Sequence, residues 1–404
     1  MPRLSLLRAT LLLAPCAMLI PIAMDIFVSG VPAMTAQLET TEQEIQWILV
    51  LFMLGTGIGQ PFIGPVCDRI GRRMTMLLSV FLFTASSIAC SAATGLGPLA
   101  AARFFQGIGA CGALVATFAI IRDSFETKQT YVMFCLMGGI GALMPMIAPL
   151  FGTWLMELTA SWRSNFEFLA VFGAFTFCCL VFRLPETKPE SNSRRMSSLQ
   201  SYQKIFRHPS FLIFSFSGLT AMTQLYLYFS VGNFLLIGQL GVSETTYSLL
   251  FGLNALVYLL GNALSTLLQR VMDAAGIVST GVVFVLTGSA SMLGLEVRYG
   301  LSAEVVVLCN LIMTAGVGIM IGPSTGAAIQ PFSQLAGTAS GAFGALQYGG
   351  AAIVGFLVTR FPIVSSLSLA GPMCIMATLT IIGLFATAAG RRRAEEEGLA
   401  VPIQ

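Results

Sequence analysis

Apolar runs of about 20 residues recur along the whole chain, and nothing else in the sequence constrains its fold as tightly. A run of that length crosses a ~30 Å hydrocarbon core as an α-helix. Lipid permits only helices and closed barrels, because no water is there to satisfy the backbone N–H and C=O groups. The runs fall at 9–31, 45–66, 74–94, 97–120, 131–157, 164–184, 210–236, 246–268, 277–296, 301–323, 336–359 and 365–389. They predict an all-α membrane protein of twelve transmembrane helices. Composition points the same way: 10% of the residues are charged and 56% hydrophobic, against about 25% charged in a soluble domain. The most polar internal stretch, Pro185 to Pro209, separates six runs from six. The expected organisation is a six-helix bundle over 1–184, a cytoplasmic linker over 185–209, a second six-helix bundle over 210–390 and a cytoplasmic tail over 391–404. Arg3 and Arg8 ahead of the first run imitate a signal peptide, but the run is too long and carries Asp25, so it reads as a retained helix.

Lys and Arg placement sets the orientation. With the N-terminus inside, 17 basic residues lie on that side and only Arg163, Arg298 and Arg360 on the other, while Arg103 lies within the membrane. The positive-inside rule therefore places both termini in the cytoplasm. The net charge of +3 is small, and the sequence carries no nucleic-acid signal. Nine cysteines sit almost entirely in apolar runs without a CxxC spacing, and the one histidine is His208. They read as packing residues, and no metal or cofactor is expected. No loop exceeds about 25 residues, which leaves no room for the extramembrane domain that a sensor or enzyme would need; the chain reads as a non-enzyme.

Asp25 stands inside the run from Leu11 to Val31. A charge at that depth costs roughly 3 kcal/mol on insertion scales, so the carboxylate must face a watered cavity, hold a proton or sit near a cation. The candidate partner is Arg103, early in the run Pro98 to Ile121, and no third charged residue lies deep in any span.

Between the second and third spans lies Gly64-Pro65-Val66-Cys67-Asp68-Arg69-Ile70-Gly71-Arg72-Arg73. On physical grounds it is a tight cytoplasmic turn, relieved by Gly71 and held inside by its cations. At Gly64, Asp68, Arg69, Gly71, Arg72 and Arg73 it resembles the loop signature of the major facilitator superfamily. Arg103-Phe104-Phe105-Gln106-Gly107-Ile108-Gly109-Ala110 is similar to that family's fourth-helix pattern. The fifth span, with Gly138, Pro145, Pro149 and Gly152, resembles the antiporter motif of its exporters, with Ala148-Pro149 where a Gly-Pro pair is usual. Asp25 with its neighbours, and Arg122-Asp123-Ser124-Phe125, look most like the Bcr/CflA-type drug:proton antiporters of bacteria. Gly107, Gly109 and Gly112 also fit a dinucleotide fingerprint literally, but mid-helix and apolar-flanked they instead suit close helix contact. Gln269-Arg270-Val271-Met272-Asp273-Ala274-Ala275-Gly276 weakly echoes the loop signature at the equivalent place in the second half, as a duplicated fold would.

The second half has no acid or base in the middle of a span. Its amides and hydroxyls, among them Tyr226, Asn233, Asn254, Tyr258, Asn262 and Gln347, are candidates to line a cavity, with interhelical hydrogen bonding as the alternative for Asn254 and Asn262. A cavity of few charges and apolar walls suits amphipathic cargo.

The resemblance implies a monomeric transporter in the bacterial inner membrane that exports small amphipathic, neutral or weakly cationic compounds such as drugs against protons, by alternating access. It implies that Asp25 and Arg103 couple the proton. It also implies that Asp68 and Arg72, with Glu126 and Glu186, latch the cytoplasmic gate, and that Asp68 faces the start of the eleventh span. The alternatives are an exporter of an anionic siderophore or a metabolite transporter of the same fold. A polycarboxylate would call for several cavity cations, and only Arg103 is available.

Overall fold

A computed structural model describes residues 5–40, 42–188, 198–232, 234–359 and 365–396. Among them the chain is helical throughout. The helices of the first stretch are α1 (Leu6–Ser29), α2 (Val31–Gln37), α3 (Glu42–Ile70), α4 (Arg72–Ser91), α5 (Leu96–Ser124), α6 (Thr127–Ala142), α7 (Met144–Thr159) and α8 (Arg163–Arg183). There follow α9 (Ser198–Phe206), α10 (Pro209–Leu227), α11 (Glu244–Leu268), α12 (Ala274–Tyr299), α13 (Ala303–Ile329), α14 (Ala336–Gly344), α15 (Gly350–Thr359) and α16 (Leu367–Glu396). Ten of these are long and apolar enough to cross a membrane: α1, α4, α5, α8, α10, α12, α13, and the apolar parts of α3, α11 and α16.

The polarity of the helices is inverted relative to a water-soluble protein. Exposed positions carry Phe62, Leu150, Phe182 and Phe385, whereas Arg72, Arg103, Gln106, Gln224 and Asn310 are buried. An apolar exterior on this scale has hydrocarbon as its solvent.

Helix starts outside the apolar stretches follow capping chemistry. The hydroxyl of Ser243 accepts from the Thr246 amide at 3.2 Å ahead of α11, Asp273 from Gly276 at 2.9 Å ahead of α12, and Ser302 from Val305 at 3.3 Å ahead of α13. Asp273, from the weak echo of the loop signature, is thus a helix cap.

Three expected spans are not continuous α-helices. The run 131–157 is divided at Leu143 into α6 and α7, each 16 residues long. Pro145 opens α7, where a proline costs no intrahelical bond but cannot continue the preceding helix. The run 336–359 passes from α14 through i→i+5 bonding at Ala345–Gly349 into α15. Beyond Leu227, α10 gives way to the same wide bonding at Tyr228–Gly232 and Phe234–Gln239. Such π segments are uncommon and concentrate at functional positions.

The chain forms two compact units. One comprises Met1–Glu126, Ile140–Tyr202 and Phe332–Ala345; the other comprises Thr127–Gly139, Gln203–Pro331 and Leu346–Gln404. In this division the start of α6 belongs to the second unit, and α14 belongs to the first.

In the first unit, glycines bring helix backbones together. A Cβ at Gly55 would strike the Phe104 carbonyl, one at Gly107 the Phe52 carbonyl, and one at Gly109 would lie 2.6 Å from the Phe83 amide nitrogen. The literal dinucleotide fingerprint is thus a packing surface for α3 and α4 on α5.

Candidate functional site

The α3–α4 turn is closed by acids from elsewhere in the first unit. Gly71 has φ +101°, a left-handed conformation that favours glycine, and a Cβ there would collide with Glu186. The Glu186 carboxylate accepts from the backbone amides of Arg72 at 3.0 Å and Arg73 at 3.2 Å. It thereby satisfies donors left open at the start of α4.

Arg72 is buried and bridges two carboxylates: its Nε donates to Asp123 Oδ2 at 2.7 Å, and its Nη1 lies 3.2 Å from Asp68 Oδ1. Asp68 in turn accepts from the amides of Gly337 at 2.9 Å and Thr338 at 2.7 Å, and from the Thr338 hydroxyl. One carboxylate therefore holds the N-terminal end of α14, where open amides favour an anion. Gly64 allows the approach, since a Cβ there would lie 2.7 Å from the Gly337 carbonyl oxygen.

The other basic residues of the turn bind backbone or hydroxyl groups. Arg69 Nη2 donates to Ser198 Oγ at 3.0 Å, and Arg73 Nη2 to the Val181 carbonyl at 2.8 Å. Tyr202, on α9, donates its hydroxyl to the Pro61 carbonyl; burial and the nearby Asp68 charge push its phenol up.

Glu126, expected in this cluster, is not brought to it. It precedes α6 as an exposed residue and makes no side-chain cap. The acid that fills the place is Asp123, three residues earlier. Helical phase decides this: Asp123 lies in the last turn of α5, whereas Glu126 lies beyond that helix. The Arg122-Asp123-Ser124 string was the available signal.

Asp25 and Arg103 form no ion pair. Asp25 is half-buried on α1, and its Oδ2 is shut from solvent with no hydrogen-bond partner. Arg103, fully buried on α5, donates from Nη1 to the Ala23 carbonyl at 3.1 Å and to Gln106 Oε1 at 2.7 Å. Gln106 passes the chain of bonds to Ser87 at 2.7 Å. The guanidinium carbon lies 4.4 Å from the Phe52 ring centroid, 4.7 Å from Phe27 and 5.7 Å from Phe166. Aromatic faces and a backbone carbonyl thus take the place expected of the carboxylate. Three rings from α1, α3 and α8 meet here, a convergence that no sequence spacing announces.

In the exporter-like run, Gly152 of α7 lies against α1 and α8: a Cβ there would meet Ser29, Ile26 and Asn165. Pro149 is inside α7. Gly138, in the second unit, faces Tyr258 and Asn262, with 3.2 Å from an added Cβ to the Tyr258 hydroxyl.

The second unit spends much of its polar inventory internally. Asn310 donates to Asn254 Oδ1 at 2.9 Å and accepts from Gln224 Nε2 at 2.9 Å. Thr314 donates to the same Asn254 oxygen at 2.7 Å. These residues tie α10, α11 and α13 together, so Asn254 is an interhelical link through that oxygen. Asn262 Nδ2 donates to the Tyr258 carbonyl at 3.0 Å, a bond within its own helix. Tyr226 lies against Gly355, where a Cβ would strike its ring. Gln347 is buried in the π segment before α15. Asn233 lies outside the described residues. No group of three or more His, Cys, Asp or Glu side chains among the described residues could hold a metal ion.

The chain is 28% identical over 344 residues to an uncharacterized MFS-type transporter YdgK of Bacillus subtilis, covering 84% of this chain and 85% of that one. It is 26% identical over 387 residues to the multidrug resistance protein MdtL of Salmonella heidelberg, covering 94% and 95% of the two chains. To a chloramphenicol resistance protein of Pseudomonas aeruginosa it is 30% identical over 252 residues, 62% of this chain and 59% of that one. Among solved structures, the proton:xylose symporter XylE superposes with a TM-score of 0.75 at 13% identity, over 94% of each chain. The E. coli fucose:proton symporter FucP superposes with a TM-score of 0.74 at 12% identity, over 94% of this chain and 98% of that one. At such identities these two carry the fold alone. The model of the Major Facilitator Superfamily matches residues 13–356, and the chain, a multi-pass membrane transporter, belongs to that superfamily.

Proposed function

We propose that the protein is a proton-coupled exporter of small amphipathic, neutral or weakly cationic compounds such as drugs, working by alternating access. In this reading the chain crosses the membrane twelve times in two six-helix bundles, with both termini in the cytoplasm. The divided runs α6–α7 and α14–α15 are then the fifth and eleventh crossings. The relatives named for multidrug and chloramphenicol resistance support the cargo class. An anionic cargo is disfavoured because Arg103 is fully buried among phenyl rings.

The observation that carries the reading is Asp25: an acid in an apolar helix, with a carboxylate oxygen closed off and unpartnered. Retaining it costs insertion energy that no ion pair offsets, so a role in handling a proton accounts for its presence. Protonation from the outer side would remove the charge that attracts a cationic or dipolar cargo, and cargo release would accompany proton entry. Arg103 keeps its own neighbours throughout. Asp68, Arg72, Asp123 and Glu186 would hold the cytoplasmic end of the first unit closed on α14. Tyr226, Tyr258 and Gln347 remain candidates for cargo contact.

Asp25→Asn tests the assignment. With no ion pair to break, the variant should fold. In detergent it should release no protons when a transported drug is added, and in vesicles its transport should be indifferent to a pH gradient. An Asp25→Asn protein that accumulates drug uphill on a pH gradient would refute the proton-site assignment.

A further inference from the structure

Between α10 and α16 the second unit has a crevice of about 390 Å³, within the size range of small-molecule sites. Its lips are Leu212 and Leu379, 44% and 51% exposed, with Phe216 and Leu219 among the residues that line it. Both helices are apolar enough to span, so hydrocarbon rather than water meets those lips. Gly383 belongs to the wall and a Cβ there would reach 3.5 Å from Ile213 Cγ1, so a larger side chain would fill the space. Ser215 also lines the crevice, fully buried, with an Oγ that has no hydrogen-bond partner. A buried hydroxyl normally has a partner, and an ester carbonyl is a suitable one.

Charge distinguishes the two ends of the crevice. Ile213 faces Gly383, and Thr220 hydrogen-bonds Thr380 at 3.2 Å, so α10 and α16 run antiparallel. The start of α10 and the end of α16 therefore lie at the same membrane face. Lys204 and Arg207, just before α10, are exposed and in no ion pair among the described residues. The sequence of the last turns of α16 carries Arg391, Arg392 and Arg393. Ser215 lies six residues into α10 from Pro209, about 9 Å along the axis from that charged end.

We propose that the crevice is a binding site for an anionic phospholipid. One acyl chain lies between Leu212, Phe216, Leu219 and Leu379, an ester carbonyl accepts from Ser215, and the phosphate meets Lys204 and Arg207. An apolar slot alone would take any hydrocarbon; free cations at the end where headgroups of that leaflet lie select an anionic lipid.

The test is native mass spectrometry of the full chain in mild detergent, titrated with phosphatidylglycerol, with phosphatidylcholine of the same acyl chains, and with inorganic phosphate. One phosphatidylglycerol should be retained roughly tenfold better than phosphatidylcholine, from contributions of the size expected per surface cation, and phosphate alone should not compete. Gly383→Leu, which fills the slot, should lose the retained lipid, and so should Leu379→Trp at its lip. Lys204→Gln with Arg207→Gln should keep a lipid but lose most of the preference. Equal retention of the two lipids by the wild type overturns the proposal, as does wild-type retention by both filled variants eluting as monodisperse protein. Competition by phosphate alone would reduce the site to an anion site and also overturns it. If the filled variants do not fold, the surface double variant decides: an unchanged preference overturns the proposal.

Discussion

Replacing Asp68 by Asn tests whether this carboxylate holds α14 against the first unit. Oδ1 accepts from the Gly337 amide and pairs with Arg72; Oδ2 accepts from the amide and hydroxyl of Thr338. Asparagine keeps one acceptor and turns an NH₂ group toward donors at the other, so two charge-assisted bonds are lost. Each such bond contributes about 1.5–3 kcal/mol. Taking the lower figure, because the amide can rotate toward water, the closed arrangement weakens by about 3 kcal/mol, roughly a hundredfold in its ratio to the open form. Cys67 reports on this directly. It is fully buried, and a Cβ at Gly337 would sit 2.8 Å from its own Cβ, so α14 must lift before a reagent reaches the thiol. In a background where the less buried Cys178, Cys179 and Cys374 are replaced by Ser, the maleimide reaction rate of Cys67 should rise by roughly that hundredfold, since fast opening makes the rate follow the open population. A rate within about threefold of the wild type, far below the shift computed from two lost bonds, would refute the reasoning.

Two substitutions probe the buried networks beside it. Arg72→Lys keeps the charge but cannot reach Asp123 and Asp68 together from two nitrogens; a loss of about 1.5–3 kcal/mol is expected, read as a lower unfolding midpoint in detergent, and an unchanged midpoint would count against the bridge. Asn310→Leu takes from Gln224 Nε2 and from Asn254 Oδ1 one of the two partners each has, leaving both to Thr314; a loss of about 1–3 kcal/mol in all is expected, read as a lower unfolding midpoint in detergent, and an unchanged midpoint would count against the interhelical link.

The membrane helices and the α3–α4 turn were legible in the sequence, because hydropathy and backbone satisfaction fix the first and a string of rare residues marks the second. Partner choice was less legible, because it depends on rotation about helix axes. Asp123 and Glu126 are three residues apart and of one chemistry, yet only Asp123 lies on α5 and faces Arg72. Asn254 was open to two roles, and it took three helices converging to commit its oxygen to Asn310 and Thr314. The division of the fifth run at Leu143 had a visible cause in Pro145, but a 27-residue apolar run obscured it. The packing of α14 with the first unit was implied only through Asp68.

The first unit buries two arginines in opposite ways. Arg72 is held by Asp68 and Asp123, and removing either acid leaves one nitrogen of a buried guanidinium without its partner, which suits a part that must stay shut or open as a whole. Arg103 has no carboxylate in contact; its support is a carbonyl, an amide and three phenyl faces at 4.4–5.7 Å. A desolvated cation–π contact contributes about 2 kcal/mol, so the three rings offset part of the cost of burying a guanidinium whose Nε and Nη2 have no hydrogen-bond partner. What support Arg103 has comes from groups other than Asp25. A group that must gain and lose a proton in every cycle should not also be the counter-charge on which its neighbour's burial depends. On the proposed cycle, Asp25 can change charge while Phe27, Phe52 and Phe166 keep Arg103 in place, and the proton then acts on cargo rather than on the fold.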